Sequence, residues 1–269
     1  MSRPCGRFLA AFGGVAGLLL AAVGVSGCGP ALRHDERPPA PAQGDGHFTL
    51  ATFNLYFGAW NDPSTVELVG RSGADVIFLQ EVSHEWESVL RRRYHDAYPQ
   101  MLFAAAGAAS GIGVISRFPL RDEGLLPAVW KHPAWLIGVQ TPRGEIHVLN
   151  VHLRASRRPH QNLIAGLLGM GADHELEIRR FVESCVVEPT LVVGDFNEGP
   201  EGSAVEWLER RGFVDALGRH RPGEPTARAL GGLYESTLDH ILFQPSLPAL
   251  DAWVQRGGNS DHWPVLARF

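Results

Sequence analysis

The stretch Leu191-Val192-Val193-Gly194-Asp195-Phe196-Asn197 is an apolar run that stops on polar residues, the pattern of a buried strand ending at a loop. Working outward from it, the same punctuation recurs along the chain. Asn54 follows Leu50–Phe53, and Gln80-Glu81 follow Asp75–Leu79. Asn150 and His152 interrupt His147–Leu153, Asp239 precedes His240–Phe243, and Asp261-His262 precede Trp263–Leu266. A lone aspartate at a strand end is commonly a turn residue, and a lone histidine in a strand is commonly structural. The recurrence points instead to one site built from loops at the ends of a rigid scaffold.

Short apolar runs at His47–Phe57, Val76–Val82, Gly113–Ser116, Trp135–Gln140, Ile146–Leu153, Thr190–Phe196, Leu238–Phe243 and Val265–Phe269 read as strands. Ser64–Gly70, His84–Tyr94, Asn162–Cys185 (with a break expected near Gly169–Gly171) and Ser203–Arg211 read as helices. Ser203 is expected as an N-cap, with Glu206 as its capping-box partner. No fixed-period repeat occurs between residues 47 and 269. Mixed strands and helices with many strand-to-strand connections predict an α/β sandwich with helices outside the sheets.

The punctuating residues carry a recognisable chemistry. Glu81, Asp195, Asp239 and Asp261, with the amides of Asn54 and Asn197, are hard oxygen ligands. There is no cysteine cluster and no HExxH, so the set suits Mg²⁺, with Mn²⁺ or Ca²⁺ as substitutes, rather than a structural zinc. His152 and His262 add proton transfer near neutral pH. A metal, an activated water and a protonatable histidine fit hydrolysis of a phosphate ester, where stabilising charge is most of the problem. No G-x-S-x-G elbow and no G-x-x-x-x-G-K-[ST] phosphate loop is present. Cys185, among Phe181, Val182, Val186 and Val187, reads as a small core residue rather than a nucleophile.

In order along the chain, FNLYF (53–57), FLQEV (78–82), GVISRFPL (113–120), NVHLR (150–154), VVGDFN (192–197), LDHILF (238–243) and SDHWPV (260–265) resemble the endonuclease/exonuclease/phosphatase superfamily. The superfamily includes pancreatic-type deoxyribonuclease, abasic-site endonucleases, neutral sphingomyelinases and inositol-polyphosphate 5-phosphatases. The resemblance implies a four-layered α/β sandwich: two packed mixed β-sheets flanked by helices, with the site at one edge. It implies that Asn54, Glu81 and Asp261 serve the metal, with Glu81 as principal carboxylate. It implies that Asp195 orients or deprotonates the attacking water and that Asn197 contacts a phosphate oxygen. His262 becomes an acid/base or transition-state stabiliser oriented by Asp239. His152 matches the deoxyribonuclease and sphingomyelinase branches and would stabilise the phosphate or act as general acid. The segment before GVISRF, where some relatives carry an acid, holds none here, so His152 has no carboxylate partner in sight.

Other residues take secondary readings. Gln80 is expected to be structural, holding backbone or Asn54. His240 faces away from the site if Asp239 faces it. Arg154, with Arg157 and Arg158, is a candidate contact for a second phosphate or a headgroup, against a solvated charged turn. Trp130 and Trp135, near Lys131 and His132, are candidates for lining a substrate groove.

The first 28 residues stand apart from this domain. Arg3 and Arg7 precede the apolar run Phe8–Val25, which ends at Val25-Ser26-Gly27-Cys28. That order is an export signal, and small residues before Cys28 resemble a bacterial lipobox, with an ordinary signal or membrane anchor as the alternative. The expectation is a chain exported and lipid-anchored to the bacterial cell envelope through Cys28. Residues 29–46, rich in Pro, Ala, Gly and charge, read as a flexible tether, leaving 47–269 as the domain. Losing Arg3 and Arg7 takes the formal net charge from −5 to −7, and Lys131 is the only lysine. That balance argues against a protein that coats nucleic acid, though not against an enzyme that grips one or two phosphates. A monomer acting on external nucleic acid, or on lipid or small phosphoesters, is expected. The alternative of another class is a non-catalytic binding protein on the same fold, against which the clustered carboxylates argue.

Overall fold

The computed structural model describes residues 46–155 and 163–269, without the side chains of residues 163–172. The expected signal, Cys28, the tether up to residue 45, Arg157 and Arg158 lie outside the described residues. In chain order the strands are β1 Thr49–Asn54, β2 Val76–Gln80, β3 Gln100–Ala104, β4 Ile112–Ser116, β5 Leu120–Leu126, β6 Ala134–Thr141, β7 Gly144–His152, β8 Leu191–Asp195, β9 Val214–Asp215, β10 Ala227–Ala229, β11 Tyr234–Ser236, β12 Asp239–Phe243, β13 Asp251–Val254 and β14 Val265–Arg268. The helices are α1 Pro63–Arg71, α2 His84–Tyr94, α3 Leu163–Ser184, α4 Ser203–Arg210 and α5 Ala216–His220.

Two mixed six-stranded sheets run β13-β14-β1-β2-β4-β3 and β5-β6-β7-β8-β12-β9. In each, one pair is parallel: β1 with β2, and β7 with β8. The period of two along a strand sorts each side chain into a layer. Leu50, Val76, Phe78, Val148, Leu191, Val193, Ile241 and Phe243 point between the sheets into a shared core. Their neighbours Ala51, Ile77 and Leu79 pack under α1 and α2 with Leu68, Trp86 and Leu90. Leu149, Val151, Val192 and Leu242 pack under α3 and α4 with Ile178, Phe181 and Leu208. The result is the expected four-layered sandwich, helices outside and sheets inside.

Helix ends follow local rules, with corrections. Asp62 caps α1 by accepting the Thr65 N–H (2.7 Å), with Pro63 in the first turn. Such a cap contributes about 1 kcal/mol. Ser83 caps α2 through the Trp86 N–H (3.2 Å). Ser203 is not the cap of α4. Gly202 holds that position, and the Glu198 carboxylate accepts the N–H groups of Ala204 (2.7 Å) and Val205 (3.1 Å). A Cβ on Gly202 would lie 2.3 Å from Glu198 Cδ, so the close approach requires glycine. No break interrupts α3 near Gly169–Gly171: the helix runs its 22 residues. None of the helices among the described residues is long and apolar enough to cross a membrane.

Candidate active site

The inner face of the sandwich changes character along each strand. Leu50 is followed two residues on by Thr52 and then Asn54, and Val76 and Phe78 by Gln80. Val148 is followed by Asn150 and His152, and Leu191 and Val193 by Asp195. On antiparallel β12, Asp239 comes first and Ile241 and Phe243 after it. The site is therefore the polar end of the inter-sheet core. Register completes it, with Asn54 opposite Gln80, His152 opposite Asp195, and Asp195 opposite Asp239.

Asp195 is the hub. Its Oδ2 accepts the Asn54 amide (2.9 Å), while Oδ1 accepts the Asn197 N–H (2.8 Å). His152 Nε2 and His262 Nε2 lie 3.5 and 3.7 Å from Oδ2. Burial raises the Asp195 carboxyl above the usual range, opposed by the positive charge of His262. Gly194 lets this strand pair closely: a Cβ there would lie 1.9 Å from the Val151 carbonyl oxygen.

His262 Nδ1 donates to Asp239 Oδ2 (2.8 Å), the partnership expected for it. Burial acts to lower the His262 pKa, but Asp239 and Asp195 outweigh it and lift it to about 10, so the ring is protonated at neutral pH. Thr226 holds Asp239 in place: its Oγ1 donates to Oδ2 (2.6 Å) and accepts the Asp239 N–H (3.0 Å). Ser260 donates to the Asn54 carbonyl (2.8 Å) and accepts the His262 N–H (3.1 Å), tying the C-terminal loop to β1.

Glu81 and Asn54 stand side by side. Asn54 Nδ2 donates to Glu81 Oε1 (3.4 Å), and the Phe57 N–H donates to Oε2 (3.0 Å). Asn54 Oδ1 takes the Tyr56 N–H (3.0 Å), so the amide nitrogen is the end that faces the two carboxylates. Tyr56, Glu81 and Asn197 hold positive φ of 59°, 58° and 52°, backbone that costs a non-glycine residue about 1–2 kcal/mol. All three lie within two residues of the end of a site strand. Asn197 also donates its side-chain N–H to the Leu153 carbonyl (2.9 Å). Asp261 is exposed beside His262, its carbonyl bonded by the Arg228 N–H (2.7 Å).

A divalent cation fits the Glu81 side better than the buried group Asp195–Asp239–His262, although those three bring ligand atoms within 4.8 Å of one another. Glu81 offers hard oxygen donors at a half-buried position, which suits Mg²⁺-like ions. In that group His262 Nδ1 is already bonded to Asp239 Oδ2, which also accepts from Thr226, so two of its donors are engaged inside the protein.

The readings of His240 and Cys185 hold, and that of Gln80 holds in part, its partners being Asn150 and Thr52 rather than the expected backbone or Asn54. Gln80 is structural: it donates to Asn150 Oδ1 (2.7 Å) and Thr52 (3.0 Å), joining the two sheets beneath the site. His240 faces away, bonded to Asp215 (3.1 Å) and the Glu198 carbonyl (3.0 Å). Cys185 is half-buried, its thiol pushed up to about 11 by burial, which leaves it unreactive. Arg154 is already engaged, paired with Asp173 and lying over the Trp130 ring at 5.2 Å. Trp135 is buried, its ring N–H on Asp122 (2.8 Å), and lines no groove.

Sequence reasoning missed two supports. His132 stacks on His152, and the His132 nitrogens and His152 Nδ1 make no hydrogen bond among the described residues. Its signal was weak: one histidine in a loop. His174 Nδ1 bonds Glu198 (2.8 Å) and its Nε2 bonds the Arg154 carbonyl (2.8 Å), bracing the loops after β7 and β8. Nothing in the helical pattern around His174 marked that role.

The profile of the Endonuclease/Exonuclease/phosphatase family matches residues 51–262. Solved structures share the fold at low identity. TDP2 from D. rerio, humanized by 14 mutations, is 14% identical with a TM-score of 0.63, covering 83% of this chain and 99% of that one. An endonuclease/exonuclease/phosphatase from Beutenbergia cavernae is 16% identical with a TM-score of 0.64, covering 82% and 71%. An AP endonuclease from Archaeoglobus fulgidus is 17% identical with a TM-score of 0.59, covering 82% and 98%. No curated protein matches the chain.

Proposed function

Because the chain belongs to the Endonuclease/Exonuclease/phosphatase family, a family of phosphoester hydrolases, we propose that it hydrolyses a phosphodiester with the help of Mg²⁺. The observation that carries this is the single Asp195 oxygen faced by Asn54 and by two imidazole nitrogens. Asp195, made more basic by burial, takes the proton of the attacking water. His262, charged and oriented by Asp239, faces the negative charge that grows on the phosphoryl oxygens. Neutral His152 and the Asn197 amide position the phosphate between them. Glu81, with Asp261 beside the site and Asn54 orienting Glu81, would hold the cation, which when bound neutralises phosphate charge and acidifies water.

The substrates that fit are nucleic acid and lipid or small phosphoesters. The export signal and the lipid-carrying Cys28 place the enzyme, in this proposal, on the outer side of a bacterial membrane. Failure of labelled palmitate to enter the chain at Cys28 would remove that part. The activity is tested by incubating the protein with Mg²⁺ and plasmid, sphingomyelin or an inositol phosphate. Hydrolysis of one of them is expected, abolished by EDTA and by Asp195→Ala. Inertness toward all three, with Mn²⁺ and Ca²⁺ also supplied, would overturn the reading in favour of a binding protein.

A further inference from the structure

Where a nucleic-acid enzyme would present a basic rim, this site presents an apolar one. The hairpin β10–β11 and the loop 55–62 both rest on the segment Gly258–Asp261. Arg228 in the hairpin donates to the carbonyls of Gly258 and Ser260 (3.1 Å each), and Asn259 donates to Asp62 (3.0 Å). From the hairpin project Leu230, Leu233 and Tyr234, exposed by 79%, 90% and 61%. From the loop project Tyr56, Phe57 and Trp60, exposed by 41%, 40% and 39%.

The hairpin tip is built to hold that exposure. Leu230, Gly231 and Gly232 take successive positive φ values of 51°, 68° and 91°. A Cβ on either glycine would meet nothing within 4 Å. Leucine in this region is strained, and no packing at the tip compensates the strain. Soluble surfaces seldom gather large apolar side chains in this way without a partner. The arginines nearby already have partners: Arg256 pairs at the surface with Glu235 (3.2 Å) and lies over Trp263 (4.3 Å), and Arg228 also lies over Trp263 (5.5 Å). Among the described residues, that leaves a poor track on this side of the site for the phosphates of a nucleic acid.

We propose that this rim docks on a lipid bilayer, the hairpin tip and the aromatic loop seating at the headgroup–acyl boundary and bringing the site onto lipid phosphodiesters. Leucine at the tip with tyrosine and tryptophan behind it is the side-chain set that partitions to that depth. The chain outside the described residues points to the same occupant. Residues 29–45, between the expected lipid-bearing Cys28 and the domain, reach at most about 60 Å fully extended, so a chain anchored at Cys28 would keep the domain within that distance of a membrane. The substrate half of this inference rests on the hydrolase reading; the docking half does not.

The full chain is tested with phosphatidylcholine vesicles, carrying an environment-sensitive fluorophore at Leu233→Cys in a Cys5→Ser, Cys28→Ser and Cys185→Ser background, so that position 233 holds the single thiol. A label at Leu250→Cys, on the edge away from the site, is the control. A blue shift at position 233 and none at 250 is expected. No shift at 233, or a shift that follows protein concentration without vesicles and so reports a second copy, overturns the docking. In parallel, Leu230→Ser with Leu233→Ser should lower hydrolysis of vesicle-embedded sphingomyelin about tenfold while leaving that of soluble bis(p-nitrophenyl) phosphate unchanged. Equal loss on both substrates marks a folding defect and overturns the substrate half. Inertness of the parent chain toward both sinks the hydrolase reading, with the fluorophore still deciding the docking.

Discussion

The imidazole of His132 lies flat on that of His152, ring centroids 3.8 Å apart and planes 14° from parallel. Two stacked rings buried this closely cannot both carry charge. Burial, with the Lys131 charge adding to it, lowers His132 to about 4. Burial and the charges of His132, His262 and Lys131 likewise hold His152 well below the ordinary imidazole value, with the nearby Ala109 backbone opposing them. At neutral pH His152 is thus neutral, while His262 is charged.

A stability prediction follows from the stack. Between the ordinary 6.5 and the folded value of about 4, the unfolded chain binds a proton that folded His132 refuses. This contribution is complete above about pH 6.5 and is lost as the pH falls toward 4. His132→Phe keeps a flat ring on His152 and removes one titrating group. Its melting temperature should fall less steeply with acid over that window than the parent's, while His132→Ala should lower activity by loosening His152. Parallel acid slopes for parent and His132→Phe would show that the ring does not titrate as stated.

Asp239→Asn should cut kcat by roughly 100- to 10,000-fold, the range of a lost acid–base group. With Asp239 intact, His262 stays charged up to about 10, so the part of the rate that needs its charge is present below that pH and disappears as the pH rises through 10. Removing the carboxylate leaves burial, which lowers the His262 pKa, less opposed. The alkaline limb of the kcat profile should therefore move to lower pH in the variant. A uniformly reduced rate with an unmoved limb would mean that Asp239 does not govern His262.

Gln80→Leu should destabilise the protein by about 1–3 kcal/mol, because it leaves the buried Asn150 Oδ1 without its 2.7 Å donor. The double variant Gln80→Leu with Asn150→Leu should cost less than the sum of the two singles in urea unfolding, since neither amide is then left facing an apolar replacement of the other. Additive losses would show that the two amides do not act as a pair across the sheets.

Much of this was legible in the sequence because strand parity is local. Once Val193 is inside, Asp195 must be inside, and once Asp239 is inside, His240 must be outside, so the polar punctuation and the opposed His240 could be read from spacing. The strands β3, β5 and β13 escaped that reading because they are outermost strands of their sheets with partly exposed side chains. The cap of α4 was misplaced because the capping-box pattern sees Ser203 and Glu206. It does not see Glu198 folded back over Gly202.

The sequence by itself determined the two inward faces, the order of the polar strand ends and the pairing of Asp239 with His262. Each follows from alternation along a strand and from a family's motif order. Only the tertiary structure decided that His132 would lie on His152, that Thr226 and Ser260 would lock Asp239 and Asn54, and that apolar tips would crowd one rim. Those relationships join segments far apart in the chain, and their geometry is set by how two sheets pack, which no local pattern encodes.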